Sequence, residues 1–226
     1  MIDSLKSKLI NGRKGVFITA TGTDVGKTYI SSILINYLKE ENINVGYYKP
    51  ALSGVNIING NYISGDSSYI CKNCNINVDP NSLVSYIYKT AVSPHLASVI
   101  EDNPIILSKI MSDFKNHKKN YDYLIVEGCG GIICPLNLTH DKLMLADVIK
   151  ALELDIIIVT TASLGTLNNT LLTIEYAKSL GINIIGIIIN RYDNTNFLHI
   201  DNKSSLEKLT DIPIIACISE GSNILT

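Results

Sequence analysis

Residues 19–28, TATGTDVGKT, decide the fold of this chain. An apolar run, VFI at residues 16–18, precedes them and is typical of a short buried strand, and after them apolar residues recur at helical spacing. A strand, a glycine-bearing turn, Gly-Lys-Thr and a helix form the order of elements that a phosphate-binding loop requires. In such a loop the free N–H groups and the positive dipole end of the helix face an anion. The pattern therefore predicts that Lys27 reaches the terminal phosphates of a nucleotide and that the Thr28 hydroxyl holds Mg²⁺.

The loop departs from the standard pattern, G-x-x-x-x-G-K-S/T, at one position. Thr21 stands where the pattern has its first glycine, and Gly22 follows one residue later. An alternative interpretation is a turn that happens to carry Gly-Lys-Thr before an ordinary helix. The strand and the helix on either side favour nucleotide binding by a variant of the loop.

The composition argues against several other classes of protein. The chain has 226 residues, enough for one sizeable core, and 46% of them are hydrophobic, which argues against disorder. The formal net charge is −2 and the lysines are scattered, so we expect no nucleic-acid partner. No apolar run is long enough to span a bilayer, and the first residues lack the apolar stretch of a signal peptide. We therefore expect a cytoplasmic protein without a membrane partner.

The five cysteines suggest reduced thiols, because their number is odd and their spacing follows no regular framework. Cys71 and Cys74 form a lone C-x-x-C, and Cys129 and Cys134 are spaced differently. A zinc site built from these four is an alternative, although the second pair lacks the spacing of a zinc knuckle.

Continuous apolar runs recur along the chain, and helical patterns separate them. The runs lie at residues 45–48, 123–126, 156–159, 184–189 and 214–216. Apolar runs without alternation are typical of a parallel sheet that is covered on both faces. We therefore predict one α/β domain over residues 1–226, with a doubly wound, mostly parallel sheet of the P-loop NTPase type. Residues 1–14 are expected to form a flexible N-terminal extension.

Local patterns also predict where strands end and helices begin. The second strand is expected to end at Lys49-Pro50, before a loop over residues 51–64, and residues 75–92 are expected to be irregular or edge-like. Predicted helix starts lie after Gly65-Asp66, at Asn103-Pro104, near Asp141 and near Thr166, with the last helix ending at Gly181.

The ligand of a doubly wound sheet lies beyond the carboxyl ends of its strands. Glu127 follows an apolar run, at the position where P-loop proteins place a carboxylate that holds Mg²⁺. The glycines at 128, 130 and 131 let backbone N–H groups approach a phosphate. The alternative is a glycine-rich turn with a solvated glutamate.

Three further residues have both a functional and an ordinary interpretation. Asp66 is either a second metal carboxylate or a helix N-cap. Lys49 is either a solvated lysine at a strand end or a cation beside the phosphates. His95, in Ser-Pro-His, is interpreted as a structural residue at a helix start.

Five motifs then occur in the order found in a known family. They are TDVGKT at 23–28, GYYKPALSG at 46–54, SPH at 93–95, VEGCGG at 126–131 with Pro-Leu at 135–136, and LGTLN at 164–168. With them the chain resembles the dethiobiotin synthetases, the ATP-dependent enzymes before the last step of biotin synthesis. The resemblance runs from about residue 15 to about residue 192, and its specific parts are the lysine-proline and glutamate-glycine motifs.

The resemblance implies a ligase that joins 7,8-diaminononanoate (7,8-diaminopelargonate) and CO₂ at the expense of ATP, with Mg²⁺ as cofactor. One amine captures CO₂ as a carbamate, whose oxygen takes the γ-phosphoryl group to give a carbamic–phosphoric anhydride. The second amine closes the ureido ring of dethiobiotin and expels phosphate, leaving ADP. The family is a homodimer whose site lies at the subunit interface.

The resemblance also implies roles for individual residues. The catalytic residues are Lys27 and Lys49, which supply positive charge beside two anions. The substrate-binding residues are Thr23, Ser53, Gly165, Thr166, Leu167 and Asn168. The nucleotide-binding residues are Asp24, Val25, Gly26, Lys27, Thr28, Tyr29, Asp66, Glu127, Gly128, Cys129, Gly130, Asn190, Arg191, Ile218, Ser219 and Glu220. The metal ligands are Thr28, Asp66 and Glu127.

A dimeric nucleotide-switch ATPase of the partition or septum-site type is the alternative function. It shares this type of fold, but its signature lysine near the start of the loop is absent here, where Thr21 and Gly22 stand. It also offers no role for Lys49 and Ser53. A catalytically silent regulatory domain that binds nucleotide is a third alternative. Of these three functions, only dethiobiotin synthesis predicts phosphate release that depends on the diamine.

Overall fold

A computed structural model of the protein describes residues 2–10, 14–58, 61–139 and 142–222. The strands, in chain order, are β1 Gly15–Ala20, β2 Val45–Ser53, β3 Asn56–Ile58, β4 Asn61–Ile63, β5 Val84–Tyr88, β6 Tyr123–Glu127, β7 Pro135–Asn137, β8 Leu143–Met144, β9 Asp155–Thr161, β10 Ile184–Asn190 and β11 Ile214–Ile218. The α-helices are α1 Ile2–Ile10, α2 Lys27–Glu40, α3 Gly65–Asn73, α4 Pro94–Ile100, α5 Leu107–Lys118, α6 Leu145–Leu152, α7 Thr166–Ser179 and α8 Phe197–Leu209.

Seven of these strands form one parallel sheet in the order β11-β10-β9-β1-β6-β2-β5. The inner strands are mostly apolar because both of their faces are covered. On β1, Phe17 packs into one core with α5, α6 and α7, and Ile18 packs into the other with α1, α2 and α3. The predicted fold class, a mostly parallel sheet with helices on both faces, is confirmed.

The register brings the ends of three central strands to one level. Ile18 of β1 pairs with Glu127 of β6, and Val126 pairs with Tyr48 of β2. The turn that follows β1, the carboxylate that ends β6 and Lys49 on β2 therefore meet at the same edge of the sheet. No helix of the described residues is long and apolar enough to cross a membrane.

The prediction that the second strand ends at Lys49-Pro50 is wrong, because β2 continues to Ser53. Its first half pairs with β6, and from Lys49 onward it pairs with β5 at the edge of the sheet. Lys49 is buried within the strand because its charge is neutralised there, and Pro50, which has no N–H to donate, lies where the strand changes its partner. The edge-like part of residues 75–92 is β5, and the hairpin of β3 and β4 occupies part of the expected loop.

Two predicted helix starts are also misplaced. The helix expected at Asn103-Pro104 begins at Leu107, because the preceding residues bind the edge strand: the Tyr88 hydroxyl donates to the Asn103 carbonyl (2.6 Å), and the Ile106 N–H donates to the Tyr86 hydroxyl (3.0 Å). The helix expected near Asp141, which lies outside the described residues, begins at Leu145 because the residues before it form β8.

The other two helix starts agree with expectation. Helix α7 begins at Thr166, and Gly181 follows it with a left-handed φ of 69°. Helix α3 begins at Gly65, so Asp66 lies inside the helix and Ser64 takes the N-cap position. Helix α8 was not predicted, because its buried residues, Asn202 and Leu206, are too few to mark an apolar face.

Residues 6–10, part of the predicted flexible N-terminal extension, lie in α1, which packs beside the sheet. Leu9 of α1 is fully buried in the core beside β1, and the Tyr123 hydroxyl donates to the Leu9 carbonyl at 2.8 Å. Lys6 forms an ion pair with Glu41 at 2.6 Å. One leucine and two polar contacts thus dock the helix, although its sequence alone gave no sign of a partner.

We predict that Leu9→Ala lowers the free energy of unfolding by about 2–4 kcal/mol, because it removes a buried side chain and leaves a cavity. Lys8→Ala, one residue earlier and exposed, is the control and should change stability by less than about 0.5 kcal/mol. Urea unfolding followed by circular dichroism measures both. Equal stabilities of the two variants would show that α1 does not dock.

Candidate active site

A cavity of about 750 Å³ opens at the edge of the sheet where β1, β2 and β6 end. This volume lies within the range of small-ligand and cofactor sites. Most of the residues proposed from the sequence line it: Thr23, Asp24, Gly26, Lys27, Thr28, Tyr29, Lys49, Ser53, Asp66, Glu127, Cys129, Gly130 and Arg191.

The turn after β1 presents the start of α2 to this cavity. Gly26, at the N-cap of α2, has φ 95°, and a Cβ there would lie 2.1 Å from the side-chain nitrogen of Asn190, so only glycine fits. No side chain caps the helix and its first turn has no acidic residue. The first N–H groups of α2 are therefore left for an anion.

Lys27, the first residue of α2, folds back over the turn. Its ammonium donates to the Gly22 carbonyl at 3.2 Å, and the side chain is largely buried. Burial lowers the pKa of Lys27, and the nearby charge of Lys49 lowers it further. An anion in the cavity would relieve both effects, and a phosphate is the anion that this loop geometry accommodates.

A buried ion cluster lies beside the loop. The Lys49 ammonium is 2.5 Å from Glu127 Oε1 and 2.8 Å from Asp66 Oδ2, and only 3% of Lys49 and 1% of Glu127 are exposed. Burial by itself would lower the pKa of Lys49, but the charges of Glu127 and Asp66 outweigh it and raise the pKa above its usual value. Lys49 is therefore a fixed cation and not a base.

The hydroxyl of Thr28 joins this cluster from α2. It donates to Glu127 Oε1 at 2.8 Å. Burial would raise the pKa of Asp66, but the charge of Lys49 and the hydrogen bond from its ammonium lower it, so the carboxylate stays ionised. Two carboxylates and a hydroxyl, all hard oxygen donors, converge at the edge of the cavity.

This donor set fits Mg²⁺, which prefers one or two carboxylates together with phosphate and water oxygens. The described residues contain no group of three or more His, Cys, Asp or Glu side chains that could hold a metal by themselves. A divalent cation at Thr28, Asp66 and Glu127 would therefore need oxygens from a nucleotide. None of the five cysteines forms a disulfide within the described residues, and the two pairs considered for zinc lie around α3 and after β6.

Tyr47 also contacts this cluster, and the sequence did not predict that contact. Its hydroxyl donates to Glu127 Oε2 at 2.9 Å, and the residue is fully buried. Burial raises the pKa of Tyr47 well above its usual value, and the charge of Glu127 adds to the shift, so the hydroxyl stays protonated. A tyrosine in an apolar strand looks like a core residue, and no local signal reveals its partner.

Asn190, at the end of β10, lies against the loop. Its side-chain nitrogen donates to the Val25 carbonyl at 2.9 Å, whereas its Oδ1 is buried and has no partner among the described residues. A buried acceptor without a partner is costly, so it is suited to a donor on a ligand. The exocyclic amino group of a nucleotide base is such a donor.

Comparisons with known proteins agree with this geometry. A family model described as "AAA domain" matches residues 14–224. A curated protein of Clostridium botulinum (strain Eklund 17B / Type B), the "ATP-dependent dethiobiotin synthetase BioD", is 50% identical over 211 residues, which are 93% of each chain. A protein of the same name from the Loch Maree strain is 47% identical over the same share.

The chain belongs to the dethiobiotin synthetase family. The resemblance on which the sequence analysis relied is thereby confirmed.

Solved structures show a wider similarity of fold. A plasmid partition protein from Borrelia burgdorferi is 18% identical, with a TM-score of 0.56 over 94% of this chain and 93% of that one. The septum site-determining protein MinD from Pyrococcus horikoshii, complexed with Mg-ADP, is 17% identical. Its TM-score is 0.52, over 91% of this chain and 82% of that one. At this identity the similarity concerns the fold alone.

Several residues implied by the dethiobiotin synthetase resemblance do not line the cavity of the described chain. Residues 165–168 lie at the start of α7, where Gly165 has φ 87° and no side chain caps the helix. Thr166 is buried, and its hydroxyl donates to the Thr161 carbonyl at 2.5 Å. Ile218 is buried in β11, while Ser219 and Glu220 are exposed.

Gly128 has a different role from the one expected. Its N–H donates to the Ile18 carbonyl at 3.0 Å, so it extends the pairing of β1 with β6 and is not free for a phosphate. A Cβ at this position would lie 2.9 Å from both Phe17 and Leu145, which explains the glycine by close packing. Gly130, with φ 68°, remains on the cavity wall.

We predict that Asn190→Leu raises the dissociation constant of ATP by about tenfold, because one good hydrogen bond to the base is lost. Binding of inorganic tripolyphosphate, which has no base, should weaken less, and its smaller loss measures the effect of removing the bond to the Val25 carbonyl. Isothermal titration calorimetry measures both ligands. Equal losses for ATP and tripolyphosphate would mean that the substitution disturbs the loop and that Asn190 does not read the base.

Proposed function

We propose that this protein makes dethiobiotin from 7,8-diaminononanoate, CO₂ and ATP. One observation carries the proposal: the Lys49 ammonium is buried at the wall of the same cavity onto which Lys27 and the start of α2 open. Two fixed cations in one cavity suit a reaction between two anions. Membership of the dethiobiotin synthetase family supplies the reaction.

In the first step one amine of the substrate adds to CO₂ and loses a proton, which gives a carbamate. The carbamate oxygen must then approach the γ-phosphorus of ATP, and like charges oppose this approach. Lys49 lies at the cavity wall as the cation for the carbamate, and Lys27 with the start of α2 holds the phosphates. The residues thus reduce the repulsion before the chemical step.

In the second step the carbamate oxygen attacks the γ-phosphorus and ADP leaves. The second amine then attacks the carbonyl carbon of the resulting carbamic–phosphoric anhydride, the ring closes, and phosphate leaves. Mg²⁺, held by Thr28, Asp66 and Glu127, supplies positive charge to the phosphates when it is bound. Lys49 remains charged throughout, so the protons of the amines pass to other acceptors.

Ser53 and Thr23 are the proposed contacts of the reacting part of the substrate. The Ser53 hydroxyl donates to the Val92 carbonyl at 2.6 Å, so its own proton is engaged. Its oxygen is left to accept a hydrogen bond. In this arrangement Ser53 contacts a substrate N–H, while Lys49 contacts the carbamate oxygens.

A homodimer would complete the site. Residues 165–168 lie outside the cavity of their own chain, and Leu164 beside them is 88% exposed. We place the uncapped start of α7 from the partner subunit at the substrate carboxylate, since such a helix terminus binds anions. The five cysteines form no disulfide within the described residues, which suits a reducing compartment, so we place the enzyme in the cytoplasm.

The decisive experiment incubates the protein with ATP, Mg²⁺, ¹³C-bicarbonate and 7,8-diaminononanoate. We expect phosphate release that requires the diamine, and dethiobiotin that carries one ¹³C atom by mass spectrometry. ATP hydrolysis without the diamine and without labelled product would overturn the proposal and favour a nucleotide switch.

We predict that Lys49→Met slows diamine-dependent phosphate release by about 100-fold or more, because preorganised charge beside the carbamate is lost. The free energy of unfolding of the variant should also fall by about 3 kcal/mol, because Glu127 keeps a buried charge with fewer partners. Lys39→Met is the matched control: Lys39 is part-buried, and its ammonium donates to the Cys74 carbonyl away from the cavity. Rates are measured at a temperature where circular dichroism shows both variants folded. Comparable rates in the two variants would remove Lys49 from the mechanism.

We predict that Leu164→Arg gives a monomer by light scattering and raises the KM for the diamine by about tenfold or more, because the partner's helix terminus no longer reaches the substrate. ATP binding by calorimetry should stay unchanged. Leu209→Arg, which changes another exposed leucine at the end of α8, is the control. A monomeric variant with an unchanged KM would show that each site is complete in one chain.

A further inference from the structure

The carboxylate of Glu127 has different partners on its two oxygens. Oε1 accepts from the Thr28 hydroxyl at 2.8 Å and from the Lys49 ammonium at 2.5 Å, and both of these donors line the cavity. Oε2 accepts from the Tyr47 hydroxyl at 2.9 Å. One oxygen is thus directed to the cavity, and the other is held by a residue behind it.

Tyr47 lies where it can touch Glu127 but not a ligand. It is two residues before Lys49 on β2, so both side chains leave the strand on the same face. Its ring is fully buried in the core with α2 and does not line the cavity. Any effect of the Tyr47 hydroxyl on a bound nucleotide must therefore pass through Glu127.

The hydroxyl restricts the orientation of the carboxylate. Glu127 is 1% exposed, so water does not replace a lost donor at Oε2. Without that donor, the carboxylate rotates more easily about its Cγ–Cδ bond, and the position of the cavity-facing oxygen is less restricted. Partners of this kind, one step behind a metal ligand, commonly change metal affinity by about 10–100-fold when they are removed.

We propose that Tyr47 is a positioning residue that aims Glu127 Oε1 at the Mg²⁺ of the bound nucleotide. This inference rests on the proposed function for the metal role of Glu127. Tyr47 strengthens the coupling between Mg²⁺ and nucleotide, and it makes no contact with either one.

The neighbouring tyrosine provides a matched control. Tyr48 is also fully buried on β2, but it points to the opposite face, where its hydroxyl bonds to Ser85 at 2.6 Å and to the Ile110 carbonyl at 3.2 Å. Tyr47→Phe and Tyr48→Phe each remove one buried hydroxyl from adjacent positions. Only the first removes a hydrogen bond to Glu127.

The test compares ADP binding by calorimetry in excess Mg²⁺ and in EDTA. For the unmodified protein, ADP should bind more tightly in Mg²⁺ than in EDTA, and the ratio of the two dissociation constants is the Mg²⁺ gain. In Tyr47→Phe this gain should fall by about tenfold, while the dissociation constant in EDTA stays the same. Tyr48→Phe should keep the full gain. A Tyr47→Phe protein with an undiminished Mg²⁺ gain, or with equal losses in Mg²⁺ and EDTA, would overturn the proposal.

A double variant tests whether the effect passes through the carboxylate. In a Glu127→Ala protein, adding Tyr47→Phe should change the Mg²⁺ gain by less than about twofold, because the group that Tyr47 orients is absent. A full tenfold change in that background contradicts a positioning role. Since these measurements use ADP and Mg²⁺ alone, they remain decisive even if the chain makes no dethiobiotin, and the two proposals can fail separately.

Discussion

The ion cluster around Lys49 is the constraint on which the site depends. A buried ammonium is tolerated only beside buried anions, and here Glu127 and Asp66 both lie within 2.8 Å of it. The cluster joins β2, β6 and α3, and Thr28 attaches the start of α2 to it. The relative positions of these four elements are therefore set by electrostatics as well as by apolar packing.

The charge balance of the cavity also explains why it suits anions. Glu127 and Asp66 both pair with Lys49, whereas the described residues give the Lys27 ammonium a backbone carbonyl as its hydrogen-bond partner. Burial lowers the pKa of Lys27, and the charge of Lys49 lowers it further. The start of α2 adds further positive potential. A triphosphate with Mg²⁺, and then a carbamate, would complete a site that is short of negative charge beside Lys27.

The fold itself does not distinguish this enzyme from its structural neighbours. Solved structures of similar fold, among them a ParA family ATPase and MinD, are only 11–18% identical to this chain. In this chain β2 continues past Pro50 and carries Lys49 and Ser53 to the cavity. Function thus follows from side chains placed on a common framework.

The sequence by itself determined most strands of the large sheet, the phosphate-binding loop with Lys27 and Thr28, and the family, because each depends on residues close together in the chain. Only the tertiary structure decided that Lys49 is buried inside a strand, that Tyr47 holds Glu127, and that Gly128 serves packing. Each of these facts depends on contacts between residues far apart in the chain: 78 positions separate Lys49 from its carboxylate and 80 separate Tyr47 from it. A local pattern describes a residue and its neighbours in sequence, whereas burial and charge pairing arise only when distant strands meet.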